Sequence, residues 1–181
     1  MKLSEIFDSD VDLQWQINGR FILTSFTANG IPYLIQIEKK PLYFDELKDK
    51  KTAEVSFARN DIEDTEKAHS TAKSSNFSAP TYGVVANALT KKFEDFDAFY
   101  FTANRRHSSS QDEFQSKANI YGILGNRIAK KTGAFFYEGK EGADSVFLVS
   151  RIKVEKPGLV IEAEEARKQY NLTGVPIELK R

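Results

Sequence analysis

Alternation of apolar and polar residues dominates the early part of the chain. Trp15 and Ile17 alternate with Gln14, Gln16 and Asn18, and strand-like runs follow at residues 21–28 and 31–38. Asn18-Gly19 and Asn29-Gly30 stand between these runs, and Asn-Gly suits the two positive φ angles of a tight hairpin. The spacing predicts a three-stranded antiparallel meander. Lys39-Lys40-Pro41 closes it, and residues 42–51 form a polar connection with room for one helical turn. A further strand is expected over 53–59. Residues 60–79 carry no apolar period and are rich in Ser, Thr, Asp, Glu and Lys; so long an irregular stretch is either functional or mobile.

The period then changes. Pro80 suits a first helical turn, and Val84, Val85, Ala88, Leu89 and Phe93 follow near 3.6-residue spacing, so a helix is expected over 80–93. Residues 96–102 are almost continuously apolar and read as a buried strand. After a polar loop at 104–111, a long helix is expected over 112–131. Its stripe is Phe114, Ala118, Tyr121, Leu124, Ile128 and Ala129, with Lys130-Lys131 complementing the dipole and Thr132-Gly133 ending it. Strands at 134–138 and 145–154 form a pair around the loop 139–144. A short helix at 4–7, another at 162–170 and an edge segment at 175–179 complete the reading. The order predicts an α/β fold: a mostly antiparallel central sheet with an N-terminal meander and two main helices. Residues 1–155 make the domain and 156–181 a C-terminal extension.

Composition narrows the chemistry. The 181 residues contain no cysteine and two histidines, which removes disulfides, thiolate metal sites and cysteine nucleophiles and argues against a zinc centre. No metal is expected. Lys+Arg and Asp+Glu balance at 26 each, so bulk charge signals neither nucleic acid nor an anionic membrane. The 14 Phe and 7 Tyr supply much of the core. The N-terminal residues do not read as a signal peptide, nor does any apolar run reach membrane-spanning length. A P-loop, a Rossmann glycine run and a serine elbow are also missing from the sequence.

Over residues 53–138 the order of elements resembles the GNAT acyltransferase fold. The stretch Asp97-Ala98-Phe99-Tyr100-Phe101-Thr102-Ala103, the helix segment Ala118-Asn119-Ile120-Tyr121-Gly122-Ile123-Leu124, then Lys130-Lys131-Thr132-Gly133 and Ala134-Phe135-Phe136-Tyr137 carry the likeness. From Phe99 to Tyr137 the chain is similar to phage-encoded GNAT-like proteins. The resemblance implies acetyl-CoA or another acyl-CoA as cofactor and a small-molecule or protein amine as acceptor. It further implies a helix N-terminus facing the cofactor pyrophosphate, a slot between two splayed parallel strands, and a tyrosine that protonates the leaving thiolate. The matching positions are Tyr121 for the acid and Ser78, Ala79, Thr81, Tyr82 and Gly83 for the cofactor. The turn before that helix, residues 75–83, lacks the family's glycines, and Pro80 removes a donor. The alternative is therefore a non-enzymatic protein on the same scaffold, binding a phage or host protein. The location implied is the cytoplasm of an infected cell or the virion.

His69-Ser70-Thr71 and His107-Ser108-Ser109 both fit His-x-Ser/Thr, the motif of two-histidine phosphoesterases, which makes a third expectation. Their 38-residue separation and loop setting favour two unrelated histidines. Arg105-Arg106-His107 with Lys117 reads as a solvated basic loop, with anion binding as the sharper alternative.

Overall fold

The computed structural model describes residues 13–42, 44–70, 76–104, 110–141, 143–154 and 178–180. The strands are β1 (Gln16–Asn18), β2 (Phe21–Ala28), β3 (Ile31–Lys39), β4 (Thr52–Arg59), β5 (Ala98–Ala103), β6 (Phe135–Glu141), β7 (Asp144–Ser150) and β8 (Glu178–Lys180). The helices are α1 (Thr65–Ser70), α2 (Ala79–Phe93) and α3 (Gln111–Thr132), with one 3-10 turn at Asp45–Leu47. The strands form one sheet in the order β1-β2-β3-β4-β5-β7-β6-β8, antiparallel throughout except for β4 against β5.

The meander forms as its alternation predicts. Asn29 and Gly30 have φ of 50° and 75°, and Ala28 pairs with Ile31 around them. The first turn differs by one residue. Asn18 pairs with Phe21, so the turn is Gly19-Arg20, and positive φ is taken by Gly19 alone. β2, β3 and β4 then pair along their whole lengths, from Phe21↔Glu38 to Ala28↔Ile31 and from Tyr33↔Arg59 to Lys39↔Ala53.

α2 and α3 pack on one face of the sheet. Their buried stripes meet Ile35, Val55, Phe57, Phe99, Phe101 and Val149. Ser78 and Ser110 cap the two helices, and Gly133 at φ 68° ends α3. Helix and sheet approach closely at Gly125, where a Cβ would stand 2.7 Å from the Phe136 ring. The opposite face carries a smaller core, in which Leu42, Phe44 and Leu47 from the 3-10 region cover Ala98, Tyr100, Val146 and Leu148.

Three further expectations need correction. The loop expected over 139–144 is mostly strand, since β6 runs to Glu141 and β7 begins at Asp144. The stretch 60–79 is not irregular throughout, because α1 occupies Thr65–Ser70 and Asp64 accepts the Lys67 N–H. β7 stops at Ser150 rather than Val154: the Ser150 hydroxyl and Ile152 backbone bond each other, turning the chain out of the sheet. The C-terminal edge segment appears as β8, paired to β6 at Glu138–Lys140. The helices expected at 4–7 and 162–170 lie outside the described residues. Among the described residues no helix is long and apolar enough to cross a membrane.

Candidate functional site

β4 and β5 run side by side for three residue pairs and then part. Thr52↔Ala98, Ala53↔Phe99 and Glu54↔Tyr100 are in register. Beyond them β4 follows β3 and β5 follows β7, each to its end. Parted strands leave backbone donors and acceptors that need other partners.

At Phe57, in the unpaired half of β4, side chains come up to them. The Phe57 backbone acts on the Tyr121 hydroxyl in the direction of a donor, without meeting hydrogen-bond geometry. The Phe57 carbonyl accepts from His69 Nδ1 at 3.1 Å, a geometry that puts the proton on that nitrogen. Each side chain arrives for a legible local reason. Tyr121 lies in the apolar stripe of α3 with Leu124 and Ile128, and α1 delivers His69 to the side of β4. The Tyr121 ring stacks on Phe57 and tilts against Phe101, centroids 5.6 Å apart in both cases. It thus bridges the two parted strands.

The entry to α2 lies next to this bridge. Phe77, one residue before the Ser78 cap, packs on Phe57, Tyr33, Phe26 and Tyr82. Ser78 Oγ accepts the Thr81 N–H and shares a hydrogen bond with the Thr81 hydroxyl, while Ser78 O accepts the Tyr82 N–H. Pro80 contributes no donor. The Thr81 and Tyr82 donors of the first turn are therefore already taken.

Burial dominates the electrostatics. It pushes the Tyr121 phenol well above the usual tyrosine range, and the Glu54 charge adds to this. One and two turns earlier on α3, Lys117 and Glu113 are each only 4% exposed. Desolvation lowers the Lys117 ammonium to about 8, with Glu113 opposing the shift. The arrangement presents a neutral phenol, a buried lysine that gives up its proton more easily than usual, and a fixed imidazole. Among the described residues no group of three or more His, Asp or Glu side chains could hold a metal ion.

The expected cofactor residues separate. Ser78 and Ala79 are exposed, Thr81 is half-buried, and Tyr82 and Gly83 are buried in the helix packing. Burial raises the Tyr82 phenol, against the Arg127 guanidinium. Tyr82 does line an open groove of about 740 Å³, whose other walls include Gln115, Asn119, Gly122, Ser145 and Phe147. Tyr121 is not among its walls. His69 stands on a helix rather than in a loop. His107, Arg105 and Arg106 lie outside the described residues, so no pairing of imidazoles is shown. Lys117 belongs to the interior rather than to a solvated basic loop.

Sequence reasoning passed over Glu113 and Phe57, and grouped Lys117 with the basic loop instead of with Tyr121. The available signal was the i, i+4, i+8 spacing of 113, 117 and 121, which puts all three on one helix face.

No family model, curated protein or solved structure matches the chain.

Proposed function

We propose that this chain is a GNAT-like domain whose acyl-donor slot is closed by its own side chains, and that it acts as a non-enzymatic binding protein. The observation that carries this reading is the bridge at Phe57. An acyl-CoA arm entering between parted strands would pair with exposed backbone there, but His69 already holds the Phe57 carbonyl and the Tyr121 ring stacks against that residue. The Tyr121 ring fills the space between Phe57 and Phe101. At the α2 entrance, capping and Pro80 leave little for a pyrophosphate to bind.

Acyl transfer is the second reading. The parting of β4 from β5 favours it, as does a tyrosine hydroxyl held at the opening, where it would protonate a leaving thiolate. Thermal unfolding with acetyl-CoA separates the two. A donor present at a hundred times its Kd would add about 2.7 kcal/mol of stability. A closed slot gives no rise up to millimolar acetyl-CoA. A clear, saturable rise would overturn the closed-slot reading and restore Tyr121 as a candidate acid.

A further inference from the structure

The open groove beside Tyr82 lies apart from the closed slot, since Tyr121 lines no part of it. One of its walls is α3, which presents Gln115, Asn119, Gly122 and Asn126. Steps of four, three and four residues put these on one side of a helix with 3.6 residues per turn. The other wall is the β6–β7 hairpin, where Glu138 pairs with Phe147 and Lys140 with Ser145 in register. Gly122 lets helix and hairpin come close, because a Cβ there would stand 3.3 Å from the Phe147 ring. The three carboxamides of the helix wall are exposed and so open to a ligand.

Charge narrows what the groove can hold. Its helix wall is neutral, and the acid and the base on the hairpin wall cancel. A phosphate ester or a polyamine gains no net attraction from such a lining. A carboxamide both donates and accepts, as a peptide group does, so the two can form a matched pair of hydrogen bonds. Gln115 Nε2 donates to Asn119 Oδ1 at 3.1 Å, which leaves the Asn119 amide hydrogens for other acceptors. Length points the same way. From Gln115 to Asn126 the helix rises roughly 16 Å, which is the span of about five extended residues. A single sugar or amino acid would reach only part of that line.

We propose that this groove binds an extended peptide segment of another protein through its backbone, with Gln115, Asn119 and Asn126 as the pairing groups. Because backbone is read rather than side chains, the site tolerates many sequences. Recognition does not pass through the donor slot, so acetyl-CoA binding would leave this proposal intact and the two readings fail separately.

Titration of isotope-labelled protein with acetyl-Thr-Val-Ser-Val-Thr-amide, followed by amide NMR, tests it, because Asn and Gln side-chain N–H groups appear in the same spectrum as the backbone. Saturable shifts are expected in the Asn119 and Asn126 side-chain signals and in the Gly122 and Gly139 backbone signals. Methylating the peptide's backbone nitrogens keeps its side chains and removes its donors, so affinity should fall at least fivefold. Asn119→Ala and Asn126→Ala, both at exposed positions, should each weaken binding at least threefold while the spectrum stays dispersed. Absence of side-chain shifts at millimolar peptide would overturn the proposal, as would equal affinity for the methylated peptide. Shifts caused by maltopentaose but by neither peptide would overturn it too, and would assign the groove to glycan.

Discussion

Tyr121 and Tyr100 are both buried close to where β4 and β5 separate, on opposite faces of the sheet. Tyr121, on the helix side, has its ring sandwiched by Phe57 and Phe101. Tyr100, on the other side, buries a hydroxyl that has no hydrogen-bond partner. An unmatched buried hydroxyl costs free energy that packing must offset. The first residue joins two strands through its ring, while the second carries a polar cost inside the smaller core.

Removing each element of this contrast should have graded effects. Tyr121→Ala deletes the ring that spans the opening, so it should cost about 3–5 kcal/mol, as large buried aromatic truncations do. Urea unfolding measures this, and a loss below about 1 kcal/mol would mean that the ring is not a structural bridge. Subtler is the pair Tyr121→Phe and Tyr100→Phe. The first removes a hydroxyl that the Phe57 backbone acts on and should cost roughly 0.5–1.5 kcal/mol; the second removes an unpartnered hydroxyl and should be neutral or slightly stabilising. Equal costs would erase the distinction between the two faces.

A pH dependence of the helix side gives a further test. Lys117 has its pKa lowered from 10.5 to about 8 in the folded chain. Between those values the unfolded state binds more protons, so stability should rise with pH. The slope is at most about 1.4 kcal/mol per pH unit. Above pH 10 the buried tyrosines, whose pKa values are raised, oppose the trend. Urea melts between pH 7.5 and 9.5 should show the rise, and Lys117→Met should flatten it. A wild-type profile as flat as the variant's would show that Lys117 is better solvated than its burial implies.

Legibility in the sequence followed the range of each interaction. Hairpins and long helices are specified by neighbours, so the meander, both capped helices and most strands could be read directly. Even there Asn18 misled by one residue, since pairing rather than the dipeptide chose which residues turn. α1 spans six residues, too few to display a period, and contacts with β4 hold it in place. The parting of β4 from β5 is a choice of partners, made by β3 and β7 on either side, and nothing in either strand announces it. Tyr100 was hidden by its own strand, because a run that is apolar on both faces does not say which way a side chain points. Glu113 and Lys117 looked like solvent positions because their residue types are usually solvated; the tertiary packing of α3 decided otherwise. The position of Tyr121 was expected, whereas its partners were not.

At the two ends of the sheet stand β1 and β8, each three residues long. Long bare margins invite other chains to add on by backbone pairing, and stubby ones discourage it. The β1 margin is wholly exposed, with Ile17 at 70%, yet offers too little length for stacking into fibrils. Lengthening that margin by even a few strand-forming residues would be expected to raise the tendency to aggregate.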